Sequence, residues 1–170
     1  TALVSFAINA HKPYLIDTLM LPEPEDTITQ SIHSITDKSL IKTGKPYQLE
    51  TLKNERERIE DELKNMGFYY FDQHSIKFLD DTSSANNTVK LKLVIKDEIP
   101  YQSREVFRIG NIDVAEDYRL ENYHPDTIKI NNYNVISATH FMKEKYFLNS
   151  ILYDQDSLYS KQHHNNSVKQ

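Results

Sequence analysis

Residues 55–71 read ERERIEDELKNMGFYYF, a charged run followed by one glycine and a cluster of aromatic residues. Apolar residues through this region fall on one face of a helix. They are Leu49, Leu52, Ile59, Leu63 and Met66. Gly67 follows where helices commonly end in the left-handed conformation that glycine tolerates best. The stretch therefore predicts a helix that ends at Gly67, after which the aromatic residues turn back into the core.

The charged face of this helix carries pairs of opposite sign four residues apart, namely Arg56–Glu60, Arg58–Glu62 and Glu60–Lys64. Each such pair contributes only about 0.2–0.5 kcal/mol. The pattern is typical of a solvated face, and it favours that interpretation over a surface for nucleic acid or an acidic ligand.

Around this helix the sequence predicts three strands and a second helix. Residues 89–96 alternate apolar side chains with mostly lysine, which indicates a strand with one buried and one solvent-exposed face. Residues 14–21 and 74–80 are the other strand candidates. Asp26 can cap a helix that carries Ile28, Ile32 and Ile35.

The order strand, helix, helix, strand, strand fixes the topology. Two antiparallel helices return the chain to its start, so the last strand runs parallel to the first and antiparallel to its hairpin partner. The most apolar strand, 89–96, belongs in the middle. The predicted fold class is α+β, with both helices packed on one face of a three-stranded mixed sheet.

A weak internal repeat predicts a tandem organisation. Pro13-Tyr14 and Pro100-Tyr101 each follow an alternating apolar segment, at an offset of 87 residues (100 − 13), and Tyr47 has an echo in Tyr159 at an offset of 112 (159 − 47). The predicted units are the last strand of one unit at 1–12, a whole unit at 13–98, and a following unit at 99–170. The third contains an insertion of about 25 residues (112 − 87), placed near 117–137, with a hairpin around Asn131-Asn132, and it is cut at its second helix.

Composition excludes several classes of function. A net charge of −5 leaves no basic footprint for nucleic acid, and the absence of cysteine excludes disulfides and thiolate metal sites. His33 and His74 have no partner at metal-ligand spacing, and His163-His164 lie in a polar tail. With three glycines a phosphate loop is implausible, so we expect no enzyme, cofactor or metal. The start at Thr1, with neither methionine nor a signal pattern, suggests a piece of a longer chain.

The residues that carry a family resemblance are Gly44-x-Pro-Tyr47, Glu55-Arg-x-Arg-Ile59 and Asn65-x-Gly67-Phe-Tyr-Tyr-Phe71. With the strand-helix-helix-strand-strand order, they resemble the POTRA domains of the BamA/TamA outer-membrane assembly superfamily. The segment Arg108–Ile112 looks like the start of the next unit in the lipoprotein, TamA-like (TamL) form of these proteins. The motifs are mostly structural, so they specify the fold better than the activity.

The resemblance implies a periplasmic arm in front of an outer-membrane barrel, with the barrel and a lipid anchor outside this fragment. The implied partners are unfolded outer-membrane proteins and a TamB-like periplasmic protein. An exposed sheet edge can accept such a client as an added strand. The candidate edge is His74, Ser75, Ile76, Lys77, Phe78, Leu79 and Asp80.

Three alternatives remain open at this point. Charged residues on the edge strand, such as Lys77 and Asp80, serve equally well to prevent aggregation. The 11 tyrosines also suit a carbohydrate- or peptidoglycan-binding module. An arm of this kind can also serve lipid transport to the outer membrane.

Overall fold

The computed structural model describes residues 3–7, 12–82, 86–116, 124–139, 143 and 149–169. The chain divides into two compact units. The first comprises Thr1–Ile59 with Gln73–Glu98, and the second comprises Glu60–Asp72 with Ile99–Gln170.

The regular elements follow the predicted order as far as Ile95. They are β1 (Leu15–Met20), α1 (Thr27–Ser34), α2 (Leu49–Asn65), β2 (Ile76–Asp81) and β3 (Thr88–Ile95). The elements after them are β4 (Ile112–Ala115), β5 (Asp126–Ile130), β6 (Tyr133–Ser137) and α3 (Lys161–Val168). Short 3-10 turns lie at Thr36–Lys38, Gln73–Ser75 and Tyr101–Arg104.

The first sheet has the predicted topology. Its strand order is β1-β3-β2, with β1 parallel and β2 antiparallel to the central β3. Leu91 and Leu93 are buried while Lys92 between them is exposed, as the alternation predicts. Leu91 packs in a cluster with Leu52 of α2 and Ile16 of β1. The predicted α+β class with three-stranded mixed sheets is confirmed.

Helix α1 begins at the predicted cap. The Asp26 carboxylate accepts the Thr29 N–H at 2.9 Å, and the Thr29 hydroxyl accepts the Asp26 N–H at 3.1 Å, which completes a capping box. Ile28 and Ile32 of this helix are buried. The cap and the apolar stripe together fix where the helix starts and which face turns inward.

The charged face of α2 is not uniformly solvated, and this prediction is wrong at Glu55, which is 1% exposed. Its carboxylate accepts the Leu40 N–H at 2.8 Å and two N–H groups of Arg58 at 2.8 and 3.0 Å. Arg58 also donates to the Ile35 carbonyl at 3.2 Å. Buried charges persist when they are paired and fully hydrogen-bonded. The Glu55–Arg58 pair thus ties the loop after α1 to helix α2.

Of the three ion pairs predicted on α2, only Lys64–Glu60 forms, at 2.6 Å. Arg58 pairs with Glu55, three residues before it, in place of Glu62. The Nε of Arg56 is buried without a hydrogen-bond partner among the described residues. Spacing along the helix predicts which side chains are close enough to pair. It does not predict that Arg58 pairs with Glu55, whose carboxylate also binds the Leu40 N–H of the loop after α1.

Gly67 ends α2 as predicted, with a φ of 101°. A Cβ there would lie 2.7 Å from Val106 Cγ1, and the Gly67 carbonyl accepts the Phe107 N–H at 2.8 Å. Only glycine satisfies both the backbone angle and this close approach.

The aromatic residues after Gly67 divide into two pairs. Phe68 and Phe71 are 1% and 0% exposed, whereas Tyr69 and Tyr70 are 46% and 53% exposed. The prediction of a core cluster is correct for the phenylalanines and wrong for the tyrosines.

The predicted hairpin around Asn131-Asn132 is confirmed. It consists of β5 and β6, paired from Ile130↔Tyr133 outwards, and Asn131 has a φ of 51°. The hairpin also pairs with β4, which the sequence did not predict, and forms a second sheet of order β4-β6-β5. Of the proposed insertion at 117–137, residues 117–123 lie outside the described residues.

Both units contain the same backbone clip, at Ile16 within β1 in the first unit and at Ile109, three residues before β4, in the second. In the first unit, Gly44 N–H bonds the Ile16 carbonyl and Ile16 N–H bonds the Lys45 carbonyl. In the second, Asp156 and Ser157 make the same bonds to Ile109.

The clips set the offsets between the units. Ile16 matches Ile109 at an offset of 93 (109 − 16), and Lys45 matches Ser157 at 112 (157 − 45). The clip offset of 93 differs from the offset of 87 between Pro13-Tyr14 and Pro100-Tyr101, and Pro100 precedes a 3-10 turn at Tyr101–Arg104. Counted between the two halves of each clip, the second unit has 19 more residues than the first (112 − 93), against the expected insertion of about 25.

The first residues of the chain were predicted to form a strand. Residues 3–7 are exposed and form no strand, and residues 1–2 and 8–11 lie outside the described residues. Within the described part of the chain, no helix is long and apolar enough to cross a membrane.

Candidate functional site

The predicted edge strand begins two residues later than its sequence pattern suggested. His74 and Ser75 lie in the 3-10 turn Gln73–Ser75, and strand β2 starts at Ile76. The predicted start at residue 74 is wrong because residues Gln73–Ser75 form a 3-10 turn that leads into the sheet. The remaining candidates, Ile76, Lys77, Phe78, Leu79 and Asp80, lie on β2 at the edge of the first sheet.

The backbone of β2 presents a defined set of hydrogen-bonding groups at this edge. The Lys96 N–H donates to the Ser75 carbonyl at 2.9 Å, so Ser75 is a hydrogen-bonded partner of β3. In an antiparallel pair this role alternates along the strand. Lys77 and Leu79 therefore point their N–H and C=O groups at β3. The groups of Ile76, Phe78 and Asp80 point outward, away from it.

A groove of about 420 Å³ runs along this edge, between β2 and helix α2. Residues Leu49, Leu52 and Arg56 form its wall on α2, at the spacing of one helix stripe. Ile76 and Phe78 contribute from β2. Phe78 also packs against the core cluster of the first unit, so the groove has an apolar floor continuous with the core.

The charges that line this groove have one sign. Its lining includes Arg56, Lys77 and Lys96, together with Tyr47, and no acidic residue. Burial raises the pKa of Tyr47, and the nearby carboxylate of Asp80 raises it further, so this hydroxyl stays protonated at neutral pH. The groove therefore offers cationic and hydroxyl donors beside an apolar floor.

A second hollow, of about 550 Å³, lies beside the same edge on the open face of the sheet. Leu79 and Val94 supply apolar surface there, and Leu79 is 42% exposed. Lys77, Lys96, Asp97 and Glu98 line it as well, so its charges are mixed. An extended chain added to β2 would place alternate side chains towards the groove and towards this hollow.

The sequence did not identify the α2 side of the groove. Leu49 and Leu52 were assigned to the buried stripe of the helix, yet Leu49 is 62% exposed. Arg56 was assigned to an ion pair with Glu60. The signal that could have found the groove is that Arg56 continues the stripe of Leu49 and Leu52, seven and four residues later.

A separate cavity of about 470 Å³ lies in the second unit. The exposed Tyr69 and Tyr70 line it, with ring centroids 4.8 Å apart in an edge-to-face arrangement. Tyr159 contacts Tyr69 in the same way at 4.7 Å, and burial raises the pKa of its hydroxyl. Asp72 and Asn165 add polar groups.

The histidines considered as ligands are not brought together with other ligands. His33 Nε2 lies 2.7 Å from the Pro22 carbonyl oxygen, and His163 and His164 lie on α3. The described residues contain no group of three or more His, Asp or Glu side chains that could hold a metal ion.

Comparisons with known proteins give a family match over part of the chain and a likeness of fold. Residues 30–98 match the family model described as "POTRA: Surface antigen variable number repeat". No curated protein matches the chain.

Among solved structures, the chain is similar to one titled "Crystal structure of Haemophilus Influenzae BamA POTRA3-5", with a TM-score of 0.52 and 8% sequence identity. The match covers 91% of this chain and 48% of that one, so the chain spans about half the length of the structure it matches. At this identity the likeness is one of fold alone. The family match covers 69 of the 170 residues (98 − 30 + 1), and the structural likeness supports a mixed α+β fold for the chain.

Proposed function

We propose that this chain is a periplasmic arm of an outer-membrane assembly or translocation protein. In this proposal β2 binds unfolded outer-membrane proteins or accessory factors by strand addition. The POTRA match over residues 30–98 supports the family setting. The main structural support for this site is the row of outward-facing backbone N–H and C=O groups at Ile76, Phe78 and Asp80, which lies beside an apolar groove.

Strand addition suits a carrier with many clients, because backbone hydrogen bonds do not depend on side-chain identity. The groove and the open-face hollow then accept alternate side chains and add affinity. The arm binds and hands over clients without catalysing a reaction. Lys77 and Asp80 at the edge also discourage self-pairing in the absence of a client.

Following the sequence resemblance, we propose that the arm belongs to a lipoprotein of the TamA-like form. Its periplasmic partner is then TamB-like, and the barrel and lipid anchor lie outside these residues. The proposed units are 1–12, 13–98 and 99–170. Lipid transport to the outer membrane is the alternative for the same arm.

A second candidate function rests on the tyrosine-lined cavity of the second unit. Exposed Tyr69 and Tyr70 beside Asp72 and Asn165 are the kind of surface on which a sugar ring can stack and form hydrogen bonds. Tight and specific retention of peptidoglycan fragments, lost in Tyr70→Ala, would favour this function over strand addition.

The test of strand addition uses Asp80, whose side chain is exposed and whose N–H points outward. Asp80→Pro removes that donor, whereas Asp80→Ala removes only the side chain. We expect Asp80→Pro to abolish crosslinking of an unfolded barrel-strand peptide to photo-reactive residues along β2. Asp80→Ala should bind nearly as the parent does.

Photo-reactive residues at the exposed Glu57 of α2 serve as a control for non-specific contact. Circular dichroism must first show that both Asp80 variants fold. Crosslinks at Glu57 alone, or unchanged binding of folded Asp80→Pro, would contradict the proposal.

A further inference from the structure

Arg56, one of the residues that line the groove beside β2, carries a donor without an acceptor. Arg56 Nε is buried and has no hydrogen-bond partner among the described residues. A buried N–H group without an acceptor is costly, and such groups are rare in folded proteins. Its neighbour Arg58, two residues later on the same helix, is by contrast fully engaged with Glu55 and the Ile35 carbonyl. The helix thus carries one arginine that serves the fold and one that does not.

The surroundings of Arg56 indicate what would satisfy it. Lys77 and Lys96 line the same groove, and no acidic residue does. A guanidinium binds a carboxylate through paired, charge-assisted hydrogen bonds. The complement of this groove is therefore a carboxylate carried on an otherwise apolar face.

We propose that Arg56 selects client strands that carry an Asp or Glu on the face turned towards the groove. This inference rests on the proposed strand addition at β2 and adds a side-chain preference to it. Leu52 and Arg56 are four residues apart, about 6 Å along the helix axis. Alternate residues of a strand are separated by about 6.8 Å. The preferred client therefore has an apolar residue two positions from the acid, so that the apolar residue meets Leu52 while the acid meets Arg56.

The probe is a short synthetic strand peptide with Val on one face and Thr on the other. In one version a central Val is replaced by Glu, and matched versions carry Gln or Leu at that place. A further version replaces a central Thr by Glu, which puts the carboxylate on the opposite face. Fluorescence anisotropy measures the affinity of each peptide for the full chain and its variants.

We expect the Glu peptide to bind the parent about tenfold or more tighter than the Gln peptide, as a charge-assisted hydrogen bond allows. In Arg56→Gln this preference should fall to about twofold or less, and Arg56→Lys should be intermediate because it keeps the charge but not the paired geometry. Lys90→Gln, an equal change of charge on the open face of β3, should keep the full preference. The peptide with Glu on the Thr face should show none.

Two results would overturn the inference while strand addition stands. One is equal affinity of the Glu and Gln peptides for the parent, with both peptides lost in Asp80→Pro. The other is an equal loss of preference in Lys90→Gln, which would make the effect one of overall charge. Peptides that bind the parent and Asp80→Pro alike would instead contradict the proposed function itself.

Discussion

The two units have the same backbone clip, but a different side chain holds the chain four residues before each clip. In the first unit the Leu40 N–H donates to the Glu55 carboxylate at 2.8 Å. In the second, 112 residues later at both ends (152 − 40 and 167 − 55), the Leu152 N–H donates to the Ser167 hydroxyl at 2.9 Å. The backbone frame is shared, so the fold does not require one residue type at this point. The buried Glu55 of the first unit has an additional role, because its carboxylate also pairs with Arg58.

The largest expected effect on stability comes from removing the Glu55 carboxylate. Glu55→Ala leaves the Arg58 charge without its partner, and breaking a buried pair in this way costs about 3–5 kcal/mol of unfolding free energy. Ser167→Ala removes one exposed hydrogen bond and should cost less than about 1 kcal/mol. Urea unfolding followed by a fluorine label in each unit measures both. Equal costs for the two substitutions would show that the two contacts are equivalent after all.

The central strands of the two sheets offer the next comparison. Leu93→Ala on β3 should cost about 2–5 kcal/mol, because Leu93 is 1% exposed in the core. Val135 on β6 is 0% exposed but smaller, so Val135→Ala should cost about 1–3 kcal/mol. Lys92→Ala, on the open face, is the control and should change stability by no more than about 0.5 kcal/mol. A cost for Lys92→Ala equal to that for Leu93→Ala would reverse the assigned faces of the first sheet.

The clips themselves differ in the residue at their left-handed position. Gly44 has a φ of 78° and Asp156 a φ of 66°. Gly44→Ala meets no atom within 4 Å, so only backbone strain of about 1–2 kcal/mol opposes it. Asp156→Gly relieves backbone strain in the folded state but raises the conformational entropy of the unfolded chain. Because the two effects oppose each other, stability should change by less than about 0.5 kcal/mol. Thermal unfolding of both variants checks this, and a neutral Gly44→Ala would contradict the strain argument.

The smallest effect appears only in alkaline solution. Burial, and then the charges of Tyr159 and Tyr69, raise the pKa of Tyr153 in the second unit to about 12 from 10.0. The folded state holds this proton more tightly than the unfolded chain does. Its contribution to stability is therefore complete below pH 10 and is lost as the pH rises through about 12.

We expect the urea midpoint of the second unit to fall between about pH 9 and about pH 11.5, and Tyr153→Phe to flatten part of that fall. The first unit, labelled separately, should have the same pH dependence in the parent and in Tyr153→Phe. Its own shifted tyrosine is Tyr47, whose pKa is raised by burial and then by Asp80. An unchanged pH dependence in Tyr153→Phe would exclude this residue as the cause.

Much of the fold as far as residue 98 could be predicted from local pattern. The cap at Asp26, the helix end at Gly67 and the alternation of residues 89–96 each depend on neighbours in sequence, and all were predicted correctly. The partner of Glu55 could not be predicted, because the Leu40 N–H that it accepts comes from a loop whose path is set by packing. The tyrosines after Gly67 look as apolar as the phenylalanines, and only the fold separates the buried from the exposed pair.

The second unit and the candidate site show where sequence reasoning ends. The β5–β6 hairpin is visible in sequence because its turn is local, but its pairing with β4 joins residues about 20 apart through a segment without a pattern (Ile112↔Tyr133). The edge strand was predicted with its start two residues early. The groove beside it was missed because it joins β2 to α2, and because Arg56 had a plausible partner in Glu60 that the fold does not use.

The most direct test of strand addition is residue-resolved amide exchange on β2, by NMR, with and without an unfolded barrel-strand peptide. Lys77 and Leu79 already donate towards β3, so their exchange should change little. The outward amides of Ile76, Phe78 and Asp80 should slow by about tenfold or more when the peptide binds. The amides of β5, an edge strand of the second sheet, are the internal control and should not change. Peptide binding that leaves the three outward amides unprotected, or that protects all five amides from Ile76 to Asp80 alike, would contradict strand addition at this edge.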